Sequence, residues 1–454
     1  MTFASIDPTT GRRCATHRKH RASEIELSLK RATAAQRVWR DTPIDRRTQV
    51  LRRLGRELLA ARDDLAPLAT TEMGKPLTQA RAEVEKCALL CAYYADQGPR
   101  ILADDHPPGA PAHTRVTFEP LGTVLAIMPW NFPFWQVVRA AVPVLIGGNA
   151  VLLKPAATVV GCTLALERIF ARAGLPPGVF QLLLADNAAI ARVLADPRVH
   201  GVTLTGSTVA GKKVAALAGA AMKPGVFELG GSDPAIVLAD ADLPRAAEIC
   251  AQSRLLNSGQ SCVCAKRFLV ERSVLPAFER LLVARMAARR MGDPADPATE
   301  VGPLARADLR ATLHAQVKRS VSRGARVLRG GAPAPGQGFF YPPTVLTDVR
   351  PGMPAFDEEL FGPVAAIVPV RDAAEAVRLA NATPYGLAAT VFTRNAIRAR
   401  RLAREIEAGA VFVNDFVRSA PELPFGGVKQ SGHGRELGPW GARAFVNVKT
   451  VWGA

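Results

Sequence analysis

The sequence lacks the marks of a membrane protein and of a secreted disulfide scaffold. Its longest nearly apolar run, AAVPVLIGGNAVLL, is too short to span a bilayer and is interrupted by Pro143, Gly147 and Gly148. Residues 1–17 contain no apolar core of the kind that a secretory signal requires. The seven cysteines are an odd number and follow no regular spacing. We therefore expect a reduced, cytoplasmic protein with no membrane partner.

Acidic residues are scarce relative to basic ones, with 40 Asp and Glu against 58 Lys and Arg and a formal charge of +18. Nucleic-acid binding is one function that such an excess can serve. However, the arginines are dispersed through amphipathic segments such as DRRTQVLRRLGRELLAARDDL, and no RNP-type aromatic pattern accompanies them. Solvated helix faces are the simpler interpretation, so nucleic-acid binding is kept only as an alternative function.

What the sequence does contain is a long alternation of strand and helix patterns. A chain of 454 residues is expected to form two or more domains. Helical spacing of apolar residues dominates residues 23–98. From AVLLKP onward, short apolar strands alternate with helices, which predicts a doubly wound parallel sheet with ligands at the carboxyl ends of its strands. A second α/β run begins near PAIVLADADL. The tail FVNVKTVWG predicts a strand that can add to a sheet edge elsewhere, including one in another subunit.

The stretch NSGQSCVC places Cys262 and Cys264 one residue apart. A structural zinc site needs a second pair of Cys or His ligands, which the sequence does not supply, so no metal is expected. A disulfide between such close cysteines is strained and uncommon as a resting state. A nucleophilic thiolate with a buried or redox-active neighbour is the remaining interpretation, although a cysteine in an apolar setting is more often inert packing.

Three further motifs offer partners for such a nucleophile. In PWNFP, the Asn131 amide is held between prolines and aromatic residues and can donate to an oxyanion, unless it only satisfies a turn. In FELGGSDP, Glu228 ends a strand before two glycines and can act as a general base, unless it is an exposed strand-end acid. In LTGSTVAG, Gly206 and Ser207 precede a helix and can cradle a phosphate, although the G-x-G-x-x-G spacing is missing.

Taken in order, PWNFP, LLKPA, LTGST, ELGGSDP, NSGQSC, EELFGP and PFGGVKQSG resemble the motif series of the aldehyde dehydrogenase superfamily. The resemblance extends from about residue 5 to the end of the chain. It implies an α/β fold with a Rossmann-type NAD(P)-binding domain, an α/β catalytic domain and a small β oligomerisation arm. These would comprise, respectively, residues 1–110 with 124–228, residues 229–415, and residues 111–123 with 442–454. It also implies a homodimer or homotetramer.

The resemblance assigns catalytic roles to the residues already singled out. Cys262 would attack the aldehyde carbon to form a thiohemiacetal, and Asn131 with the Cys262 backbone N–H would stabilise the oxyanion. After hydride transfer to the nicotinamide, Glu228 would activate the water that hydrolyses the resulting thioester to a carboxylic acid. Cys264 is similar to a second cysteine that forms a reversible disulfide with the nucleophile in some relatives.

The resemblance also implies a set of cofactor-binding residues: Trp130, Lys154, Ala157, Gly206, Ser207, Glu359 and Phe361. Lys154 would bond the adenosine ribose, while Glu359 and Phe361 would hold the nicotinamide ribose and ring. Many NAD-preferring relatives carry Glu where this chain has Ala157, and that Glu repels a 2′-phosphate. NADP is therefore as acceptable as NAD, and we expect dual use.

Within the superfamily the motifs are most similar to the short succinate-semialdehyde dehydrogenases, whose substrate has a distal carboxylate. The resemblance gives Arg139 and Ser419 as its ligands, and Arg is well suited to a carboxylate. Some relatives carry a further arginine where this chain has Leu256; Arg254 or Arg418 would have to substitute. The alternatives are another aldehyde (glutarate semialdehyde, or an apolar or aromatic one), a CoA-dependent acylating enzyme and an inactive homologue.

Overall fold

The structure, a computed structural model, describes residues 2–453. Its helices are α1 (Ala22–Arg40), α2 (Ile44–Ala60), α3 (Arg62–Met73), α4 (Leu77–Ile101), α5 (Trp135–Ile146), α6 (Val160–Arg172), α7 (Asn187–Ala195), α8 (Thr208–Ala220), α9 (Leu243–Leu255), α10 (Leu275–Ala287), α11 (Ala307–Ser322), α12 (Pro354–Asp357), α13 (Ala373–Asn381), α14 (Ala396–Glu405) and α15 (Gly438–Arg443). Its strands are β1 (Thr2–Ile6), β2 (Arg13–Arg18), β3 (Arg115–Pro120), β4 (Thr123–Ile127), β5 (Ala150–Lys154), β6 (Phe180–Leu182), β7 (Val199–Thr205), β8 (Gly225–Glu228), β9 (Pro234–Val237), β10 (Arg267–Glu271), β11 (Arg326–Arg329), β12 (Thr344–Thr347), β13 (Val364–Val370), β14 (Ala388–Phe392), β15 (Ala410–Val413), β16 (Gly432–His433) and β17 (Val446–Val451). Among the described residues, no helix is both long and apolar enough to cross a membrane.

The first sheet has six strands in the order β16-β8-β7-β4-β5-β6. All neighbours are parallel except β16, which pairs Gly432 with Glu228 in the antiparallel sense. Strands β4, β5 and β7 are almost entirely buried, as expected for a sheet covered by helices on both faces. The carboxyl ends of β5, β7 and β8 carry Lys154, Thr205 and Glu228, so three of the sequence motifs reach one sheet edge. The predicted parallel sheet is confirmed.

The second sheet has seven strands in the order β11-β12-β13-β10-β9-β14-β15, and only β11 is antiparallel to its neighbour. The chain passes from the first sheet to the second between Glu228 and Pro234. The loop that contains Cys262 connects α9 to β10 in this second half. The predicted residue limits of the domains stay a prediction, although the chain changes sheets close to one of them.

Helices α4 and α5 pack closely and together form one wall of the site. Gly98 of α4 lies against α5, and a Cβ at that position would come within 2.7 Å of Ile146 Cγ1. The small residue therefore allows the close approach. Arg139 lies in the middle of α5, which is buried on every side, while α4 presents a mixed polar and apolar stripe to it.

Two small ribbons complete the fold. The C-terminal strand β17 pairs antiparallel with β3 of the same chain, with Val446 opposite Pro120 and Val451 opposite Arg115. Within the chain, the sheet partner of β17 is therefore β3. Val448 is exposed, so the ribbon of β3 and β17 does not belong to the core of either large sheet. The N-terminal hairpin of β1 and β2 was not predicted, because neither TFASI nor RCATHR alternates strictly between apolar and polar residues.

Candidate active site

The loop between α9 and β10 has an unusual backbone. Asn257, Ser258 and Gly259 have φ values of 54°, 55° and 76°, so three consecutive residues are left-handed. Such a run is costly for the two residues that have side chains, and it persists only when neighbours hold it. The Asn257 N–H donates to Gln79 Oε1 at 2.7 Å, and the Ser258 Oγ accepts from the Gly302 N–H at 2.9 Å. The sequence NSGQ is thus locked into one conformation.

Two buried cations hold the same loop through its carbonyl groups. Arg254 donates to Gly259 O at 2.6 Å and to Ala265 O at 3.2 Å. The Lys266 ammonium donates to Cys262 O at 2.7 Å and to Ser261 O at 3.2 Å. Both side chains are fully buried. Arg254 therefore serves the loop and lies outside the substrate cavity, so it is not the substitute cation that the sequence suggested. Lys266 was missed, because its hydrogen-bond partners are backbone atoms, and its one carboxylate neighbour among residues 2–453, Glu359 at 3.7 Å, is distant in the sequence.

Cys262 is half-buried between two cavities. Burial raises the pKa of its thiol to about 12, and this effect outweighs the opposing charges of Arg139 and Lys266. The side chain is thus a neutral thiol at neutral pH until a base or a ligand changes its surroundings. Cys264 lies beneath the loop, where its Sγ donates to Ser261 O at 2.8 Å. A reversible disulfide between the two cysteines stays a prediction.

Asn131 lies next to this loop and is fixed from both sides. Its side-chain Nδ2 donates to the Gln260 backbone carbonyl at 3.1 Å, and its backbone carbonyl accepts from Asn257 Nδ2 at 2.7 Å. One amide hydrogen of Asn131 is not used by the bond to Gln260 and can serve a ligand. The backbone beyond it is held by Glu83, whose Oε1 accepts from the N–H groups of Phe134 and Trp135, both at 2.8 Å.

Glu228 is a buried acid at the end of β8. Within residues 2–453 neither carboxylate oxygen has a hydrogen-bond partner. Burial, followed by the nearby Glu436 carboxylate, raises the pKa of Glu228 well above its usual range. The loop that contains Gly426, in the PFGGVKQSG motif, approaches the Glu228 carboxylate closely, since a Cβ at Gly426 would lie 2.6 Å from Glu228 Oε1. A buried acid with raised pKa and no fixed partner suits a general base that must take up a proton and release it.

One cavity, with a volume of about 230 Å³, opens at the edge of the first sheet. It brings together seven of the predicted site residues: Trp130, Asn131, Gly206, Ser207, Cys262, Glu359 and Phe361. The rings of Trp130 and Phe361 meet edge to face with centroids 5.7 Å apart. Gly206 and Ser207 directly precede α8, so the amino end of that helix adjoins the cavity. Glu359 Oε1 accepts from the Gly231 N–H at 3.1 Å.

These groups fit a dinucleotide. A helix amino end suits a diphosphate, a carboxylate suits ribose hydroxyls, and paired rings suit a nicotinamide. Lys154 and Ala157 do not line this cavity but lie at and just beyond the carboxyl end of β5, at the same sheet edge. Burial lowers the pKa of Lys154.

A second cavity, of about 280 Å³, lies on the other side of Cys262. Among residues 2–453, Cys262 is the one residue that lines both cavities. The walls come from α4, α5, the cysteine loop and the 416–425 segment, and they include the predicted substrate ligands Arg139 and Ser419. Leu256 also lines it and brings no charge.

Arg139 is a buried residue, with 2% of its surface exposed, and therefore does not lie on a solvated helix face. Its Nη2 donates to Thr205 Oγ1 at 3.2 Å, its Nε lies 2.5 Å from Glu436 Oε2, and its guanidinium stacks 4.7 Å from the Phe425 ring centroid. Glu436 was not predicted, although it closely follows the PFGGVKQSG motif. Arg418 lines the cavity and is paired with Asp415 at 2.8 Å.

Glu228 lines neither cavity. A cysteine shared by a dinucleotide-type cleft and a separate substrate cavity, with a fixed amide in the wall of the cleft, is typical of the class of cysteine-dependent dehydrogenases. A sequence model of the aldehyde dehydrogenase family matches residues 1–451, and the chain belongs to this family. The resemblance inferred from the motifs is thereby confirmed.

Individual relatives narrow the comparison. The chain is 48% identical to the succinate semialdehyde dehydrogenase (NAD(P)+) Sad of Escherichia coli K12, over 99% of this chain and 97% of that protein. It is 45% identical to a probable succinate-semialdehyde dehydrogenase (NADP(+)) of Synechocystis, over 100% of both chains. Among solved structures, the succinic semialdehyde dehydrogenase of Streptococcus pyogenes in complex with NADP+ aligns with a TM-score of 0.96 at 34% identity, over 99% of both chains.

Proposed function

We propose that the protein oxidises succinate semialdehyde to succinate with NAD or NADP. The observation that carries the proposal is that a cavity lined by three cationic side chains and a dinucleotide-type cavity share Cys262 as a wall residue. A carboxylated aldehyde can place its carbonyl at the thiol and its carboxylate among the cations. The names of the E. coli, Synechocystis and S. pyogenes relatives support the same substrate and either cofactor.

The chain's own residues account for each part of the reaction. Cys262 forms a C–S bond to the aldehyde carbon as its thiol proton passes to solvent, and the electron pair of the carbonyl π bond moves to oxygen to give the thiohemiacetal oxyanion. Asn131 and the Cys262 backbone N–H donate to the new oxyanion. A nicotinamide held beside Trp130 and Phe361 would supply the hydride acceptor for this oxidation, after which Cys262 would carry the substrate as a thioester. Glu228 then takes a proton from water as the water attacks, and Cys262 departs as the carboxylate product is released.

The direct test is the initial rate of reduced-cofactor formation with succinate semialdehyde and with butanal, each with NAD and with NADP. Butanal has the same carbon number and no carboxylate. We expect kcat/KM to favour succinate semialdehyde by about 10-fold or more, which is the effect of one charged hydrogen bond. Equal values for the two aldehydes would refute the carboxylate preference, and no turnover of any aldehyde would refute the dehydrogenase. The same measurement with glutarate semialdehyde, which is one carbon longer, tests the length of the substrate cavity.

We also propose that the ribbon of β3 and β17 acts as an oligomerisation arm. Support comes from exposed apolar side chains at this end of the chain, including Val448 and Trp452, which are 61% and 71% exposed. Light scattering on Val448→Lys, which adds charge to the ribbon, should show a smaller particle than the unmodified chain. An unchanged mass would refute the assignment.

A further inference from the structure

Lys86 is a cation in the wall of the substrate cavity for which no role has yet been assigned. It projects from α4 opposite the 416–425 segment. Its Nζ donates to Ser419 Oγ at 2.8 Å and lies 4.2 Å from the Trp135 ring centroid. A hydroxyl that accepts this bond keeps its own hydrogen for a second partner. Lys86 and Ser419 therefore form a paired donor site that faces the cavity.

The charges of the cavity wall are unevenly compensated. Arg139 lies against Glu436, and Arg418 is paired with Asp415. Within residues 2–453, Lys86 has no carboxylate within salt-bridge distance.

The wall contains one acidic side chain among the described residues, Glu83. Its carboxylate is already engaged by the buried Lys75 and by the backbone N–H groups of Phe134 and Trp135. Leu256 adds no charge on the opposite side. The ammonium of Lys86 is thus the cation of this cavity whose charge the protein itself leaves unmatched.

A partly buried, unmatched ammonium is unfavourable in the absence of a ligand. Burial, and then repulsion from Arg139, lowers the pKa of Lys86 to about 8. A bound carboxylate would remove that penalty, because it supplies the missing negative charge and accepts hydrogen bonds from both donors.

We propose that Lys86, with Ser419, binds the distal carboxylate of the aldehyde and so sets the preference for carboxylated over neutral substrates. This assignment rests on the proposed function and names the residue whose positive charge pairs with the substrate carboxylate. Arg139 is a second cation of the same cavity, and its charge faces Glu436.

The primary test compares Lys86→Met with Arg81→Met in the full-length enzyme. Arg81 is on the same helix, and its guanidinium pairs with Asp63 outside the cavity. In Lys86→Met, the ratio of kcat/KM for succinate semialdehyde to that for butanal should fall about 10- to 100-fold, chiefly through KM, because a remote binding contact is lost. Arg81→Met should leave the ratio unchanged within about twofold, as is usual for exposed pairs.

A pH profile gives a second, independent readout through Lys86→Arg. The charged and titratable groups around Lys86 are Glu83 and Cys87 on its own helix, Arg139 on α5 and Arg418 on the facing segment. The cationic form of Lys86 binds the carboxylate, so KM for succinate semialdehyde should rise as the pH passes above about 8. Lys86→Arg should keep the substrate preference and abolish that rise, since arginine stays charged.

The outcomes separate the two proposals. If the unmodified enzyme does not prefer succinate semialdehyde to butanal, the proposed function fails. If the unmodified enzyme has the preference and Lys86→Met retains it, the function stands and the assignment of Lys86 is overturned. Should Lys86→Met fail to fold, the arginine variant decides, because a KM that still rises above pH 8 would likewise overturn the assignment. The butanal profile, measured in parallel, reports titration of Cys262.

Discussion

The substrate cavity and the cofactor cavity share Cys262 but are lined by different kinds of groups. The substrate cavity presents the long charged side chains of Lys86, Arg139 and Arg418 between aromatic rings. The cofactor cavity presents glycines, a helix amino end and one carboxylate, Glu359. The first can be altered by changing single side chains, whereas the second depends largely on backbone geometry. Substrate preference should therefore be easy to change by mutation, and cofactor binding should be harder to abolish.

The largest effect should come from the residue that both cavities share. Cys262→Ser replaces the thiol with a far weaker nucleophile, and oxidation of every aldehyde should fall on the order of 10⁴-fold or more. Binding of reduced cofactor, followed by fluorescence titration, should be nearly unchanged, because the cofactor cavity keeps its backbone contacts. Residual turnover of a few per cent would show that another residue is the nucleophile.

Glu228→Gln should separate the two half-reactions. The amide is nearly isosteric with the acid but cannot accept the proton of the attacking water, so steady-state turnover should fall about 10²- to 10⁴-fold. Stopped-flow absorbance should still show a burst of reduced cofactor of about one equivalent per site. Loss of the burst together with turnover would instead place Glu228 before hydride transfer.

The role of Arg139 can be examined without leaving a buried charge unpaired. Removal of Arg139 alone would isolate Glu436 in the interior and destabilise the fold. The double variant Arg139→Met with Glu436→Gln avoids this penalty and should lower the preference for succinate semialdehyde by less than Lys86→Met does, about 10-fold or below. The preferences are compared as ratios of kcat/KM. A larger loss in the double variant would make Arg139 the main carboxylate ligand.

Reactivity of the thiol should follow its raised pKa. The thiolate is the reactive form, and the pKa of Cys262 is about 12 because of burial. In the cofactor-free enzyme, alkylation by iodoacetamide should therefore accelerate about 10-fold per pH unit between pH 7 and 10. Peptide mapping by mass spectrometry distinguishes Cys262 from the exposed Cys14. A plateau near pH 8 would mean that the thiolate is already stabilised in the free enzyme.

The smallest effect should be on the choice of cofactor. Ala157 lies just beyond β5, where a carboxylate would bind ribose hydroxyls and repel a 2′-phosphate. Ala157→Glu should shift the NAD to NADP ratio of kcat/KM toward NAD by about 10-fold, since the helix amino end and the glycines are retained. Ala157→Gln is the matched uncharged control. An equal shift in both variants would remove the electrostatic explanation.

The predictability of the two cavities from the sequence also differs. Trp130, Lys154, Gly206 and Ser207 lie at or just after strands of the first sheet, so the alternation of strand and helix predicted their common edge. Their roles, and the inclusion of Glu359 and Phe361 between α12 and β13, came from the resemblance to the family. Lys86 and Glu436 belong to no such motif. A lysine next to the buried stripe of α4, beside Glu83 and Cys87, was the available signal.

The hydrogen bonds by which Arg254 and Lys266 hold the loop between α9 and β10 could not be predicted from the sequence. Arg254 and Lys266 act on backbone carbonyls, and any fold that brings them close would serve. The two strands of the N-terminal hairpin likewise show no periodic pattern of apolar residues. Tertiary pairings of this kind depend on how the helices and sheets pack, which local sequence patterns do not specify.

Trapping the acyl-enzyme with two competing aldehydes tests the proposed mechanism and substrate preference most directly. Glu228→Gln is offered equal concentrations of succinate semialdehyde and butanal with NADP, and the product is digested and examined by mass spectrometry. We expect the peptide that contains Cys262 to carry a succinyl group in large excess over a butanoyl group. Equal amounts of the two acyl groups, or acylation at a residue other than Cys262, would contradict it.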